Sequence, residues 1–155
     1  IGRFIRYQRY ATQVCVPDPV GSVFGEYHRS GNASLTGPGS RIEGIGRPRV
    51  EASFIRTLVE RMIEVPDVDS VAAMRELSAL LGRKVGPSTG TNFIGMLTLA
   101  HEMRQRGEQG SILSLLCDAG ERYLPTYHST AWVAQHFGDC SAAQEQVRRL
   151  LSESA

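Results

Sequence analysis

Between Met62 and Gly107 the sequence switches twice from a short strand-like run to a longer apolar repeat of helical spacing, and that alternation restricts the fold more than any other feature. Met62-Ile63-Glu64-Val65 reads as a strand. Pro66-Asp67-Val68-Asp69-Ser70 supplies a helix start, Val71, Met74, Leu77 and Leu81 recur at helical spacing, and Gly82 ends the run. Lys84-Val85 reads as a short strand entering Gly86-Pro87-Ser88-Thr89-Gly90-Thr91-Asn92. The helix after that loop carries Phe93, Ile94, Leu97 and Ala100 on one side and stops at Gly107. Ser111-Ile112-Leu113-Ser114-Leu115-Leu116-Cys117 reads as the strongest strand of all, and Val14 to Val16 as another, stopped at Pro17-Asp18. Ile1 to Tyr10 suits a short helix, and a last helix begins near Ser141 with Val147, Leu150 and Leu151 together. Strands alternating with helices predict an α/β domain with a mostly parallel sheet and functional loops at the carboxyl ends of its strands. Pro19 to Gly46, rich in Gly, Ser, Pro and Asn, reads as a long loop belonging to a site or its cover.

Composition narrows the function classes. The 155 residues are 41% hydrophobic and 21% charged, the make-up of one ordinary globular domain rather than a disordered tail. A net charge of +1, with basic residues scattered among acidic ones, argues against nucleic acid as a partner. No apolar stretch is long enough to cross a bilayer, and Ile1 to Tyr7 lacks the apolar core of a signal peptide, so no membrane partner is expected. Cys15, Cys117 and Cys140 are odd in number and widely spaced, which favours a reducing cytoplasm and predicts no zinc site. Cys15 and Cys117 end strand-like runs and read as buried structural thiols. His28, His101, His128 and His136 show no ligand spacing, so no metal is expected. The chain does not begin with Met and reads as part of a larger protein.

The residues Gly86 to Asn92 carry the chemistry. A helix N-terminus offers unpartnered N–H groups and partial positive charge to a phosphate or polar ring, and small residues let a ligand approach. The same stretch matches the Gly86-x-Ser88-x-Gly90 elbow of serine hydrolases, with Asp118 and His128 following in the order Ser, Asp, His. Against that reading, Lys84-Val85 is a poor elbow strand, Asp118 and His128 lie close in sequence, and no glycine-rich oxyanion segment precedes Ser88. The lack of a Lys after the second glycine argues against a Walker loop. Ser88 as a plain helix cap and Asp118, Glu121 and Arg122 as a solvated helix start remain the bland alternatives.

Three motifs in order, Glu43-Gly44-Ile45-Gly46, Gly86-Pro87-Ser88-Thr89-Gly90-Thr91 and Leu116-Cys117-Asp118-Ala119-Gly120-Glu121-Arg122-Tyr123, resemble the pyridoxal-phosphate enzymes of the cysteine synthase and cystathionine β-synthase family. The resemblance runs to about Val133. Gly46-Arg47-Pro48-Arg49-Val50-Glu51 and Ser88 to Asn92 look most like a bacterial L-cysteine desulfhydrase branch. It implies that residues 1–155 are the C-terminal portion of the large domain of a fold type II enzyme, a three-layer sandwich. The Schiff-base lysine, the substrate-carboxylate loop and the phosphate loop would then lie upstream of Ile1.

What the resemblance implies for the site is specific. The cofactor would be pyridoxal 5'-phosphate, with Ser88 donating its hydroxyl to the ring nitrogen and Thr89 and Gly90 forming the loop around the ring edge. Gly44, Ile45 and Gly46 would line the mouth where an amino-acid substrate lies, with Gly44 also beside the cofactor. Asp118 would sit behind the ring and orient Ser88 or a water. A neutral hydroxyl makes the ring a milder electron sink than a carboxylate would, which suits β-elimination or β-replacement on cysteine or an activated serine. Lys84, the single lysine beside sixteen arginines, stands where the family places no Schiff base and is not expected to be the catalytic amine. The chain by itself would be inactive, the intact protein a homodimer. The rival readings are a serine hydrolase and a non-catalytic partner-binding fragment.

Overall fold

The computed structural model describes residues 1–154. Helix α1 spans Gly2–Tyr7, strand β1 Cys15–Pro19, helix α2 Phe24–Ser30, strand β2 Arg61–Val65, helix α3 Asp67–Leu81, helix α4 Pro87–Gln105, helix α5 Thr130–Phe137 and helix α6 Ser141–Ser154. The two strands pair in parallel, Cys15 opposite Arg61 and Pro19 opposite Val65, so the parallel sheet is present with two strands among the described residues. Pro17 and Pro19 have no N–H to donate, which suits β1 to a sheet edge. The chain is extended by the Val20 N–H, which donates to Val65 O at 3.0 Å.

The central run folds as its sequence reads, except that Pro87 to Asn92, read as a loop, form the first turns of α4. Asp67 and Asp69 occupy the first turn of α3, where carboxylates complement the helix dipole, and Gly82 closes it at φ +64. Helix α4 starts at Pro87, in the first helical position where a missing N–H costs nothing, with extended Gly86 before it. Helices α3 and α4 pack on each other, and α6 closes over both. Val65, Val71, Met74, Leu97 and Val147 lie at the centre, each at most 2% exposed. On its other side α4 lies against β1, where a Cβ at Gly95 would collide with Pro17 Cγ.

Three expectations need correction, and one helix had no counterpart in the sequence reading. Residues 111–117 do not form a strand: Leu113, Leu115 and Leu116 are 96%, 57% and 50% exposed, and no strand among the described residues runs beside them. A strand is completed by a neighbouring edge, which local β-branched and leucine-rich character does not provide. Instead Val85 makes a single antiparallel bridge to Ala119. The stretch from Pro19 to Gly46 contains α2, held by Phe24 stacked on Phe54 at 4.4 Å and ended by Gly31 at φ +72. Helix α5 was not foreseen; Ser129 caps it by accepting from the Trp132 N–H. Cys117 is exposed and Cys15 partly so, whereas Cys140 is the buried thiol, its pKa pushed up by that burial.

Candidate functional site

A short two-way ladder builds the floor of the site. The Gly86 N–H donates to Asp118 O and the Gly120 N–H donates back to Lys84 O, both at 3.1 Å, so the start of α4 and the Asp118 turn are locked side by side. Glycine is required at position 86 because a Cβ there would strike Asp118 Oδ1. Asp118 Oδ2 accepts from the Tyr123 hydroxyl at 2.8 Å. Asp118 Oδ1 is buried and has no hydrogen-bond partner. Tyr123 is 4% exposed, and burial, then the bond to Asp118, pushes its pKa up to about 12, so it is a donor throughout the neutral range.

Ser88 sits in the first turn of α4 and is 7% exposed. It does not cap the helix: Gly86 holds the cap position and no side chain caps there. Among the described residues the Ser88 hydroxyl forms no hydrogen bond, in contrast to its neighbours. Thr89 Oγ1 accepts from the Cys117 N–H at 3.0 Å, Thr91 Oγ1 shares a 2.9 Å bond with Ser70 Oγ, and the Asn92 amide donates to Leu115 O and Cys117 Sγ, each at 3.3 Å. Gly90 is turned the other way. A Cβ there would overlap Ser70 O and approach Met74 N to 2.8 Å, so the close approach this glycine permits is that of α3.

The Glu43 to Gly46 loop reaches the same region. The Tyr127 hydroxyl donates to Arg41 O at 2.7 Å and accepts from the Glu43 N–H at 3.1 Å, and Arg122 Nη2 meets Glu43 Oε1 at 2.5 Å. Gly44 and Gly46 both take positive φ, +88 and +77. Gly44 is exposed and Ile45 half-buried. Tyr123 and Tyr127 pack edge to face at 5.6 Å, joining the loop's anchor to the Asp118 pair. The structure thus assembles all three sequence motifs, and Lys84, exposed, contributes only its backbone. Tyr127 was missed as a site residue; its spacing of four from Tyr123 was the available signal. Two surface hollows, about 590 Å³ along α6 and about 250 Å³ at His101, share no residue with this assembly.

The serine hydrolase geometry is not formed. His128 Nε2 donates to Val85 O at 3.0 Å, Asp118 binds Tyr123, and no hydrogen bond joins Ser88 to either. Ser88 also lies in regular helix, without the positive φ of a strained elbow. Among the described residues no group of three or more His, Cys, Asp or Glu could hold a metal, and no helix is long and apolar enough to cross a membrane.

The arrangement defines an α/β domain with a polar helix-start site. No family model matches the sequence. An L-cysteine desulfhydrase of Mycobacterium tuberculosis is 53% identical over 135 residues, 86% of this chain and 37% of that protein. A pyridoxal-phosphate dependent protein of Caenorhabditis elegans is 32% identical over 99% of this chain and 40% of its own length. Among solved structures, a cysteine synthase of Entamoeba histolytica superposes with a TM-score of 0.67 at 20% identity, covering 97% of this chain and 40% of that one, and carries the fold. The chain belongs to the cysteine synthase and cystathionine β-synthase family. It spans well under half the length of the relatives it matches.

Proposed function

We propose that this chain is the C-terminal part of the large domain of a pyridoxal-phosphate-dependent enzyme, and that the intact protein is a cytoplasmic homodimer that removes sulfide from cysteine. The observation that carries the reading is the pairing of two unspent polar groups at one helix start: the Ser88 hydroxyl and the buried Asp118 Oδ1, the only carboxylate oxygen besides Asp67 Oδ1 orphaned among the described residues. Buried polar atoms are rarely left unpaired, and such exceptions mark places where a ligand completes the bonding. The 53% identity to a desulfhydrase supports elimination over replacement. Three free cysteines support a reducing compartment.

The residues present fit the cofactor's pyridine edge. Ser88 would hold it through a neutral hydroxyl, Thr89 would fix the neighbouring Cys117 backbone, and Asp118, steadied by Tyr123, would stand behind. When bound, pyridoxal 5'-phosphate withdraws electrons from the amino acid's α-carbon, which allows the β-substituent to depart. Gly44, Ile45 and Gly46 would border the amino-acid substrate, with Gly44 and Gly46 both at positive φ and nothing within 4 Å of a Cβ built on Gly44. Cysteine and water would give hydrogen sulfide, pyruvate and ammonia.

The test uses the full-length protein. Added pyridoxal 5'-phosphate gives a visible absorption band, and cysteine yields sulfide and pyruvate in equal amounts. Ser88→Ala weakens the band and lowers kcat/KM about ten-fold or more, the scale of losing one hydrogen bond made to a reacting group. A protein with no visible band, as a non-catalytic partner-binding module would be, sinks the proposal, as does a Ser88→Ala variant indistinguishable from the parent.

A further inference from the structure

Tyr127 is 5% exposed, its ring packed on Tyr123, on Trp132 at 5.0 Å and on Phe137 at 5.9 Å. Only its hydroxyl leaves this aromatic cluster. That one oxygen takes hold of the mouth loop twice, donating to Arg41 O at 2.7 Å and accepting from the Glu43 N–H at 3.1 Å. Arg41 is itself fastened by Asp67 at 2.9 Å, by His136 O at 2.7 Å and by stacking over the Phe137 ring. Burial pushes the Tyr127 pKa up, so the donor persists across the neutral range.

Beyond Glu43 only Gly44 stands clear: the Ile45 N–H reaches back to Ile42 O at 3.5 Å and the Ile45 side chain packs on the core. Nothing lies within 4 Å of a Cβ built on Gly44, whereas one on Gly46 would meet Ser40 Cβ at 2.6 Å and Pro19 Cγ at 2.9 Å. The backbone from Gly44 to Gly46 is therefore a short turn whose entry is set by the Tyr127 hydroxyl and whose far side is set by Ile45 and the packed Gly46. The second side-chain tie, Arg122 to Glu43, joins groups 65% and 51% exposed, and exposed pairs contribute little.

We propose that Tyr127 is a positioning residue for the substrate: its hydroxyl fixes the mouth loop so that Gly44, Ile45 and Gly46 meet the amino acid, without itself touching substrate or cofactor. This rests on the pyridoxal-phosphate reading above. Losing both bonds loosens the entry to this turn and lowers substrate affinity, while Ser88 and Asp118, held by the separate ladder through Gly86 and Gly120, keep their places.

In the intact protein, Tyr127→Phe keeps the ring and deletes the hydroxyl. The expected result is a KM for L-cysteine raised about ten-fold, with kcat and the cofactor's visible band within about two-fold of the parent. Amide hydrogen exchange over residues 42–46 accelerates about ten-fold or more, a readout that needs no activity. Arg122→Gln moves KM less than about two-fold. An unchanged KM, an unchanged exchange rate, or a fall in kcat at constant KM overturns the proposal while leaving the cofactor reading intact. A parent protein that shows no visible band and no sulfide release overturns that reading instead, and the exchange experiment then separately reports whether the hydroxyl holds the loop.

Discussion

Gly90→Ala separates two explanations of one glycine, and the structure sets its size. The added methyl overlaps Ser70 O and comes to 2.8 Å from Met74 N and 2.9 Å from Met74 Cβ. All three are backbone atoms or the root of a side chain in α3, so no flexible group can swing aside. Helices α3 and α4 must part by about 1 Å to restore ordinary contact, which forfeits a quarter to a half of each dispersion well along the seam of Val71, Met74 and Leu97. Overpacking of this kind costs about 2–4 kcal/mol, and alanine's better helix propensity returns about 1 kcal/mol. The net loss of about 1–3 kcal/mol lowers Tm by about 3–10 °C for a chain of this size. Gly82→Ala is the control: its φ is +64 with nothing within 4 Å of the new methyl, so only the left-handed backbone is strained, about 1 kcal/mol. Thermal and urea unfolding followed by circular dichroism measure both. A Gly90→Ala variant as stable as the parent, with cofactor binding alone impaired, would refute the packing argument and restore close ligand approach as the reason for the glycine.

Two further expectations concern pH. Tyr123 has a folded pKa near 12 against an ordinary 10, so the unfolded chain ionises first; the stability this phenol contributes is complete below pH 10 and drains away as pH rises toward 12. Denaturant midpoints measured from pH 9 to 12 fall less steeply in Tyr123→Phe than in the parent, and parallel curves would dismiss the buried phenol. His128 behaves oppositely: burial lowers its pKa from 6.5 while Nε2–H donates to Val85 O, so its contribution is present above pH 6.5 and lost as pH drops through the lower folded value. His128→Gln flattens the acid side of the stability profile, and a profile identical to the parent's between pH 7 and 5 contradicts the assignment. Finally, a serine-directed fluorophosphonate leaves Ser88 unlabelled, because no histidine is placed to activate it; labelling there would revive the hydrolase reading.

What could be read from the sequence follows the range of the interactions involved. Helix α3 is legible because Pro66, the acidic first turn, the apolar repeat and Gly82 are all local signals that agree. Helix α4 is legible from its apolar side, while its start at Pro87 is hidden by the small polar residues that read as a loop. Helix α2 is hidden because its support, Phe24 and Tyr27 against Phe54, crosses about thirty residues of loop-like composition. The segment 111–117 misleads in the other direction, since its residues favour a strand but only a neighbouring edge makes one. The same division holds in the site. Ser88, Asp118 and the glycines of residues 44 and 46 are candidates through ordered motifs, whereas the Tyr127 hydroxyl acts across 84 and 86 residues and its one local signal is the spacing of four from Tyr123.

Helix geometry divides the residues of one short motif between two faces. Successive helical residues turn by about 100°, so Ser88 and Gly90 project about 160° apart, while Ser88 and Asn92 fall within about 40° on one stripe. Gly90 faces α3, as its clash with Ser70 requires. Asn92 binds Leu115 O and Cys117 Sγ, and Thr89, a quarter-turn round from Ser88, binds the Cys117 N–H. The polar side of the first two turns of α4 is therefore directed at the strand-like segment that leads into Asp118, and the glycine side at the core. The side-chain directions of Ser88 and Gly90 thus belong to different faces. A ligand at Ser88 meets the face that already holds residues 115–117, so substitutions there, Asn92→Ala among them, disturb ligand binding with little loss of stability. Substitutions at Gly90 do the reverse, and a variant of Asn92 that unfolds the chain without touching ligand affinity would show that the two faces are not separable.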